Sequence, residues 1–256
     1  MYEDPAEAVA GADLVIVCSH LGSYVSVGKA MASSLAPGAI VTDVGSVKGC
    51  VARDLGPHIP DGVHLVPGHP VSGSEKSGPE AGFESLFDDR WWILTPGETA
   101  DEAAVTRLAA YVQALGSRVE IMAAERHDLV LAITSHLPHL IAYNIVSTAD
   151  DMEAVTQGEV VKYSAGGFRD FTRIAASDPE FWRDVFLNNR DAVLETLGRF
   201  TEDLIALQRS IRWGEGDELL RVFSQSRDIR QRIIQAGQDT EAPNFGRQGE
   251  ASTEAD

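Results

Sequence analysis

From residue 13 to residue 122 the apolar positions alternate between two patterns. Short β-branched runs at Asp13–Cys18, Ala39–Thr42, Val63–Val66, Trp91–Thr95 and Arg118–Met122 read as strands. Between them lie helical patterns. Tyr24–Leu35 is ended by Pro37 and Gly38, a second helix begins after Gly45 and Ser46, and Asp101–Leu115 carries Val105, Leu108, Val112 and Leu115 on one face before Gly116. This alternation predicts an α/β unit with a mostly parallel sheet and helices on its faces.

From Glu125 onward the pattern becomes helical without strands, which predicts a second, all-α part. Leu129–Thr148 is almost wholly apolar, interrupted by His136, His139 and Asn144, with Pro138 the one threat to its helicity, and reads as a buried helix. Val193, Leu197, Phe200, Leu204, Leu207 and Ile211 repeat at spacings of four and three, a seam that suits either packing within the chain or a subunit interface. After Gln238 the sequence turns polar and acidic. The organisation expected is therefore residues 1–122, residues 123–238, and a disordered acidic tail over 239–256.

Composition narrows the classes of function. With 256 residues, 44% of them hydrophobic, the chain can bury a substantial core. No apolar run approaches the roughly 18 residues that span a bilayer, and the first residues lack the features of a secretory signal, so the cytoplasm is expected. Cys18 and Cys50 are too far apart for a Cys-x-x-Cys pair and are expected to be buried free thiols. A formal net charge of −18 argues against nucleic acid and anionic membrane as partners. An anionic substrate would need a local basic pocket.

Four segments carry candidate chemistry. Gly68-His-Pro-Val-Ser-Gly-Ser-Glu-Lys-Ser-Gly78 holds His69 in a loop between turn-forming residues, where an imidazole can act as general base near neutral pH; an exposed turn histidine is the plain alternative. Thr42-Asp-Val-Gly-Ser-Val-Lys48 follows a strand and opens a helix, which puts Ser46 at the carboxyl edge of the sheet, either as a ligand contact or as the helix N-cap. Ser135-His-Leu-Pro-His139 places two imidazoles three apart on one helix side, with His127 upstream. They read as core histidines or as donors to a shared polar ligand, and no carboxylate or cysteine stands at metal-ligand spacing beside them. Gly166-Gly-Phe-Arg-Asp-Phe-Thr-Arg173 brings two arginines among aromatic residues, suited to clamping a carboxylate or to pairing with Asp170, Asp178 or Asp184. Ser177-Asp-Pro-Glu180 reads as a helix N-terminus.

In this order and spacing the four segments resemble the prephenate/arogenate (cyclohexadienyl) dehydrogenase family over residues 8 to 238. The resemblance implies a Rossmann-like dinucleotide-binding domain, a helical substrate-binding and dimerisation domain, and a homodimer. It implies NAD or NADP as cofactor, and oxidative decarboxylation of prephenate to 4-hydroxyphenylpyruvate, or of arogenate to tyrosine, in tyrosine biosynthesis. Carried over, it makes His69 the base on the ring hydroxyl, with Ser46 in support. Arg173 would bind a substrate carboxylate, and Glu75, His136, His139, Gly166 and Trp182 would shape the pocket for substrate or for tyrosine as feedback inhibitor. Ser19, Asp43, Gly45 and Ser46 would lie along the cofactor.

Two departures stand out. The family's opening strand and Gly-x-Gly-x-x-Gly loop are not among these residues, and the expectation is that Met1 lies within a longer reading frame. The alternative is a truncated, catalytically impaired dimer that still binds prephenate or tyrosine through its helical part. Cys18-Ser-His-Leu-Gly22 also replaces a stretch where the family commonly carries proline and valine before the glycine.

Overall fold

The computed structural model describes residues 2–72, 78–156 and 162–235. Contacts divide the chain into two compact units, Met1–Leu197 and Gly198–Asp256.

The first unit opens with α1 (Pro5–Val9), then β1 (Leu14–Val17), α2 (Tyr24–Met31), β2 (Ile40–Asp43), α3 (Gly49–Asp54) and β3 (His64–Leu65). β1, β2 and β3 run parallel in that order, with Leu14 opposite Ile40 and Val17 opposite Asp43. A second three-stranded sheet holds β4 (Gly68–Pro70), β5 (Trp91–Leu94) and β6 (Arg118–Ile121), with α4 (Glu102–Ala114) between the last two. Strand side chains alternate between faces, and the chain uses both. Val15, Val17 and Val41 join α1, α2 and α3 in one core, while Leu14, Ile40, Trp92 and Leu94 join α4 in the other. α4 is bounded as its sequence predicts: the Asp101 carboxylate accepts from the Ala104 main-chain N–H at 2.7 Å, and Gly116 takes a φ of +91° after the last turn.

One strand departs from the expected parallel arrangement. Gly68–Pro70 forms β4, antiparallel to β5 with His69 opposite Ile93, where the sequence reads as a loop. A three-residue strand ending in proline carries no periodicity, and β5 supplies the pairing that defines it.

The helical part begins with α5 (Ala124–Leu131), a widened π-turn over Ala132–His136, and α6 (Leu137–Thr156). Pro138 accounts for the widening. It has no N–H to offer the preceding turn and its ring crowds the carbonyl four residues back, so the turn opens and Leu137 N–H reaches the Ala132 carbonyl instead. α7 (Gly166–Thr172), α8 (Pro179–Asn188) and the start of α9 (Arg190–Trp213) complete this unit. Asp178 caps α8, accepting from the Glu180 and Phe181 N–H groups at 2.8 and 3.0 Å, with Pro179 in the first turn, as its sequence predicts. Trp182 and Val185 of α8 enter the same core as β1 and α2.

The helix over Leu129–Thr148 is not buried all round, contrary to expectation. Leu131, Ala132, His136, Leu137 and Ala142 are buried, but Leu129, Val130, Ile133, Ile145 and Val146 are exposed. The run Ala124–Met152 is by length and composition apolar enough to cross a bilayer, although no such run was expected. Its interrupting side chains are mostly uncharged, so they break the apolar run without making it polar. Cys18 is exposed at the end of β1, against expectation, because it lies beyond the last core-facing residue, Val17; Cys50 is buried as expected.

The second unit holds the rest of α9 and α10 (Gly216–Gln235). Of the seam residues, Val193 is buried, whereas Leu204 and Ile211 are exposed. Residues 239–256, expected to form the tail, lie outside the described residues.

Candidate active site

The site is built on a buried ion pair. Asp43, the last residue of β2, and Lys48, just before α3, are both fully buried and paired with each other. The Asp43 carboxylate also accepts from the Tyr24 hydroxyl (2.9 Å), Gly45 N–H (2.9 Å) and Gly68 N–H (3.1 Å), while Lys48 Nζ donates to the Gly68 carbonyl at 2.6 Å. Burial lowers the Lys48 pKa and Asp43 opposes that shift; burial and Asp43 both raise that of Tyr24. Both main-chain groups of Gly68 are thus held by one ion pair, which fixes the backbone that carries His69. Gly45 fits only without a side chain, since a Cβ there would lie 2.6 Å from Leu21 and 2.7 Å from the Tyr24 hydroxyl. The Asp43 side chain, expected along a cofactor, is turned into the protein.

His69 is buried, and its Nδ1 lies 2.8 Å from His127 Nε2. His127 Nδ1 is in turn 2.8 Å from Asp128 Oδ1. A carboxylate can only accept, so His127 Nδ1 carries a proton. A neutral His127 then accepts at Nε2 from His69 Nδ1–H, which leaves the lone pair of His69 on Nε2. Burial first, then the nearness of His127, Lys48 and His136, beside which a further positive charge is disfavoured, hold His69 well below the usual imidazole range, so it is neutral at physiological pH.

Asp128 has a second task. Its oxygens accept from Lys48 N–H (2.7 Å) and Gly49 N–H (2.8 Å), capping α3 from 80 residues away. The local candidate for that cap, Ser46, does not fill it, and α3 has no cap from its own preceding side chain.

His136 is fully buried and His139 partly so, and Trp182 meets both. Its ring stacks on His139 with centroids 3.6 Å apart and 22° between planes, and meets His136 edge-on at 6.1 Å. Burial lowers the pKa of His136 to about 4, with the Ser46 main chain close enough to oppose the shift. The pKa of His139 is lowered by burial and by the charge of Arg173, while its bond to the Ser135 carbonyl at 2.9 Å opposes this. Ser46, His69, His136, His139, Trp182 and Arg173 therefore lie in one connected neighbourhood. Gly166 opens α7, which packs on the helix bearing His139. Arg169 is exposed and lies 3.6 Å from Asp170. Glu75 lies outside the described residues.

Cys18, Ser19 and His20 are exposed where β1 ends, beside the half-buried Ser46 turn at the end of β2. This is the carboxyl edge at which open α/β sheets bind nucleotides, and the exposed Ser19 and half-buried Ser46 offer polar groups there. Among the described residues no three or more histidine, cysteine or acidic side chains cluster so as to hold a metal ion. Reading the sequence alone, His127 stood out only as an imidazole upstream, and Asp128 and Lys48 had no role. Adjacent histidine and aspartate ahead of the other two histidines was the one signal available.

Comparison with known proteins agrees with this geometry. Residues 1–121 match the prephenate dehydrogenase nucleotide-binding domain, and residues 123–225 the prephenate dehydrogenase dimerization domain. The chain is 42% identical over 228 residues to a cyclohexadienyl dehydrogenase of Zymomonas mobilis, covering 89% of this chain and 78% of that protein. It is 35% identical to a prephenate dehydrogenase of Bacillus subtilis, covering 75% of this chain and 51% of that one. Among solved structures, the prephenate dehydrogenase of Aquifex aeolicus in complex with hydroxyphenyl propionate and NAD+ superposes with a TM-score of 0.81 at 35% identity, over 86% of this chain and 76% of that one. With this extent of identity across both halves, the chain belongs to the prephenate dehydrogenase family.

Proposed function

We propose that this protein catalyses the oxidative decarboxylation of prephenate to 4-hydroxyphenylpyruvate, a step of tyrosine biosynthesis. Residues 1–122 would serve the dinucleotide, and residues 123–238 the substrate and the dimer. The observation that carries the reading is the His69–His127–Asp128 chain, which leaves an unprotonated Nε2 on a fixed imidazole. That nitrogen accepts the proton of the ring hydroxyl as C4 is oxidised, and returns it to the phenolate oxygen once CO2 has left and the ring is aromatic. The charge His69 gains meanwhile is balanced by Asp128 at the far end of the chain. Arg173 pairs with a substrate carboxylate, and the stacked His139 and Trp182 give the ring a flat wall. When bound, NAD or NADP supplies the hydride acceptor; Ser19, Gly45 and Ser46 lie along the edge assigned to it.

The test is prephenate-dependent absorbance at 340 nm with NAD+ and, separately, NADP+, with arogenate as the competing substrate. Folded protein giving no signal with any pairing overturns the proposal. Tyrosine is expected to inhibit, a reading supported by the hydroxyphenyl ligand of the Aquifex relative. A homodimer is supported by the dimerization-domain match and by the exposed Leu129, Val130 and Ile133. Light scattering giving a monomer at micromolar concentration would remove it.

A further inference from the structure

We propose that Asn189 sets the protonation of His136, making it a neutral imidazole that presents Nε2–H as a hydrogen-bond donor to a substrate oxygen. Asn189 is buried in the joint between α8 and α9, 53 residues from His136. Its main-chain N–H is bonded to the Val185 carbonyl at 2.9 Å, so its place in the fold is fixed. Its side-chain Nδ2 lies 2.8 Å from the Asp128 main-chain carbonyl and 3.0 Å from His136 Nδ1. A carbonyl can only accept, so the atom facing it has to be the amide nitrogen rather than the amide oxygen. The second proton of that nitrogen then points at His136 Nδ1, which has to be unprotonated to receive it. In a neutral ring the proton is left on Nε2.

Two further observations give that proton a purpose. His136 Nε2 is fully buried and makes no well-aligned hydrogen bond among the described residues, although the Ser46 main chain lies near enough to the ring to favour its protonated form. Burial lowers the pKa of the ring to about 4, so it does not escape by becoming charged at physiological pH. A buried donor without a well-aligned partner is costly, and active sites are where such costs are recovered when a ligand arrives. Its neighbour has the opposite polarity. His139 Nδ1 lies 2.9 Å from the Ser135 carbonyl and so carries the proton, which leaves Nε2 of that neutral ring as an acceptor. Two histidines three residues apart, alike in sequence, thus offer the pocket one donor and one acceptor. This deepens the proposed function and rests on reading the crevice as the substrate site.

Long-range proton–nitrogen NMR of the full chain at neutral pH reads each tautomer directly, with His136→Gln and His139→Gln assigning the signals. The expected result is the Nε2–H form for His136 and the Nδ1–H form for His139. In Asn189→Leu, His136 should lose its single tautomer while His139 is unchanged. Wild-type His136 in the Nδ1–H or doubly protonated form would overturn the inference without recourse to any variant. So would an unaltered His136 pattern in a folded Asn189→Leu protein. Adding hydroxyphenyl propionate should shift the His136 Nε2–H proton. Expected tautomers with no response to the ligand would count against the crevice as the substrate site while leaving the role of Asn189 intact.

Discussion

Replacing Lys48 with methionine isolates the ion pair under His69. The side chains are similar in length, so the change removes charge and hydrogen bonds with little change in volume. It leaves the Asp43 carboxylate fully buried with three neutral donors, Tyr24, Gly45 and Gly68, and leaves the Gly68 carbonyl without its ammonium. Breaking a buried pair by deleting one member costs about 3–5 kcal/mol, because the remaining charge is uncompensated. With a urea dependence of about 3 kcal/mol per molar, the unfolding midpoint should fall by about 1 to 1.7 M. Asp43→Asn added to Lys48→Met removes the orphaned charge and keeps an oxygen for Gly45 N–H and the Tyr24 hydroxyl, while its NH2 faces Gly68 N–H, so it should recover part of the loss. The assay is urea unfolding followed by circular dichroism for wild type, both single variants and the double variant. A Lys48→Met cost below about 1 kcal/mol, or strictly additive single effects, would refute the argument, since residues in direct contact should couple.

Three other outcomes follow from the site. His69→Asn should lower kcat by about 10²- to 10⁴-fold with substrate affinity nearly unchanged, the range for a lost general base; steady-state kinetics with a loss confined to KM would remove His69 from that role. Arg173→Gln should raise KM about 10- to 100-fold, from loss of a charge-assisted carboxylate contact of about 1.5–3 kcal/mol, and an unchanged KM would count against the clamp. His136 titrates at about 4 in the folded protein and near 6.5 when unfolded, so between those values the unfolded chain holds the extra proton. Stability should therefore rise with pH across that window, by up to about 3 kcal/mol from this group, and His69 contributes with the same sign. Urea midpoints at pH 5 and 7 measure the slope, which His136→Gln should reduce.

Much of the scaffold was legible because it obeys local rules. The strands at 14–17, 40–43, 91–94 and 118–121 follow from β-branched runs, and the ends of α4 and α8 from Asp101, Gly116 and Asp178-Pro179. The neighbours of His69 were partly legible, as four short segments in order. What escaped was every feature made by a contact distant in sequence. Gly68–Pro70 becomes a strand only because β5 pairs with it. Asp43 resembles a ligand contact at the end of a strand, and only the buried Lys48 and Tyr24 show that its carboxylate is already occupied. Asn189 carries no local signal, since its two partners lie 61 and 53 residues away. The helix at 129–148 was misread because an apolar circumference means burial only when something covers every side.

Asp128 is where the two halves of the site meet. Its carboxylate orients His127 and caps α3, and its main-chain carbonyl orients Asn189, and through it His136. Replacement by asparagine leaves the main-chain branch in place and tests the carboxylate branch alone. The carboxylate faces three donors, Lys48 N–H, Gly49 N–H and His127 Nδ1–H, on two oxygens, but an amide offers only one oxygen. Oδ1 accepts from both Lys48 N–H and His127 Nδ1–H, and Oδ2 from Gly49 N–H. An amide oxygen in the Oδ1 place therefore serves two donors and sets its NH2 against one N–H, whereas in the Oδ2 place it serves one donor and sets its NH2 against two. The first arrangement keeps the proton of His127 on Nδ1 and that of His69 on Nδ1, so the base keeps its bare nitrogen, but the negative charge that balances His69 as it takes the substrate proton is gone. Asp128→Asn should therefore lower kcat by about 10- to 100-fold, the worth of a charge-assisted contact of about 1.5–3 kcal/mol, with the tautomers of the wild type retained. Steady-state kinetics and the NMR tautomer pattern check it together. A folded Asp128→Asn protein with kcat within about twofold of wild type, or with His69 protonated at Nε2, would show that charge balance along this chain is not what the carboxylate contributes.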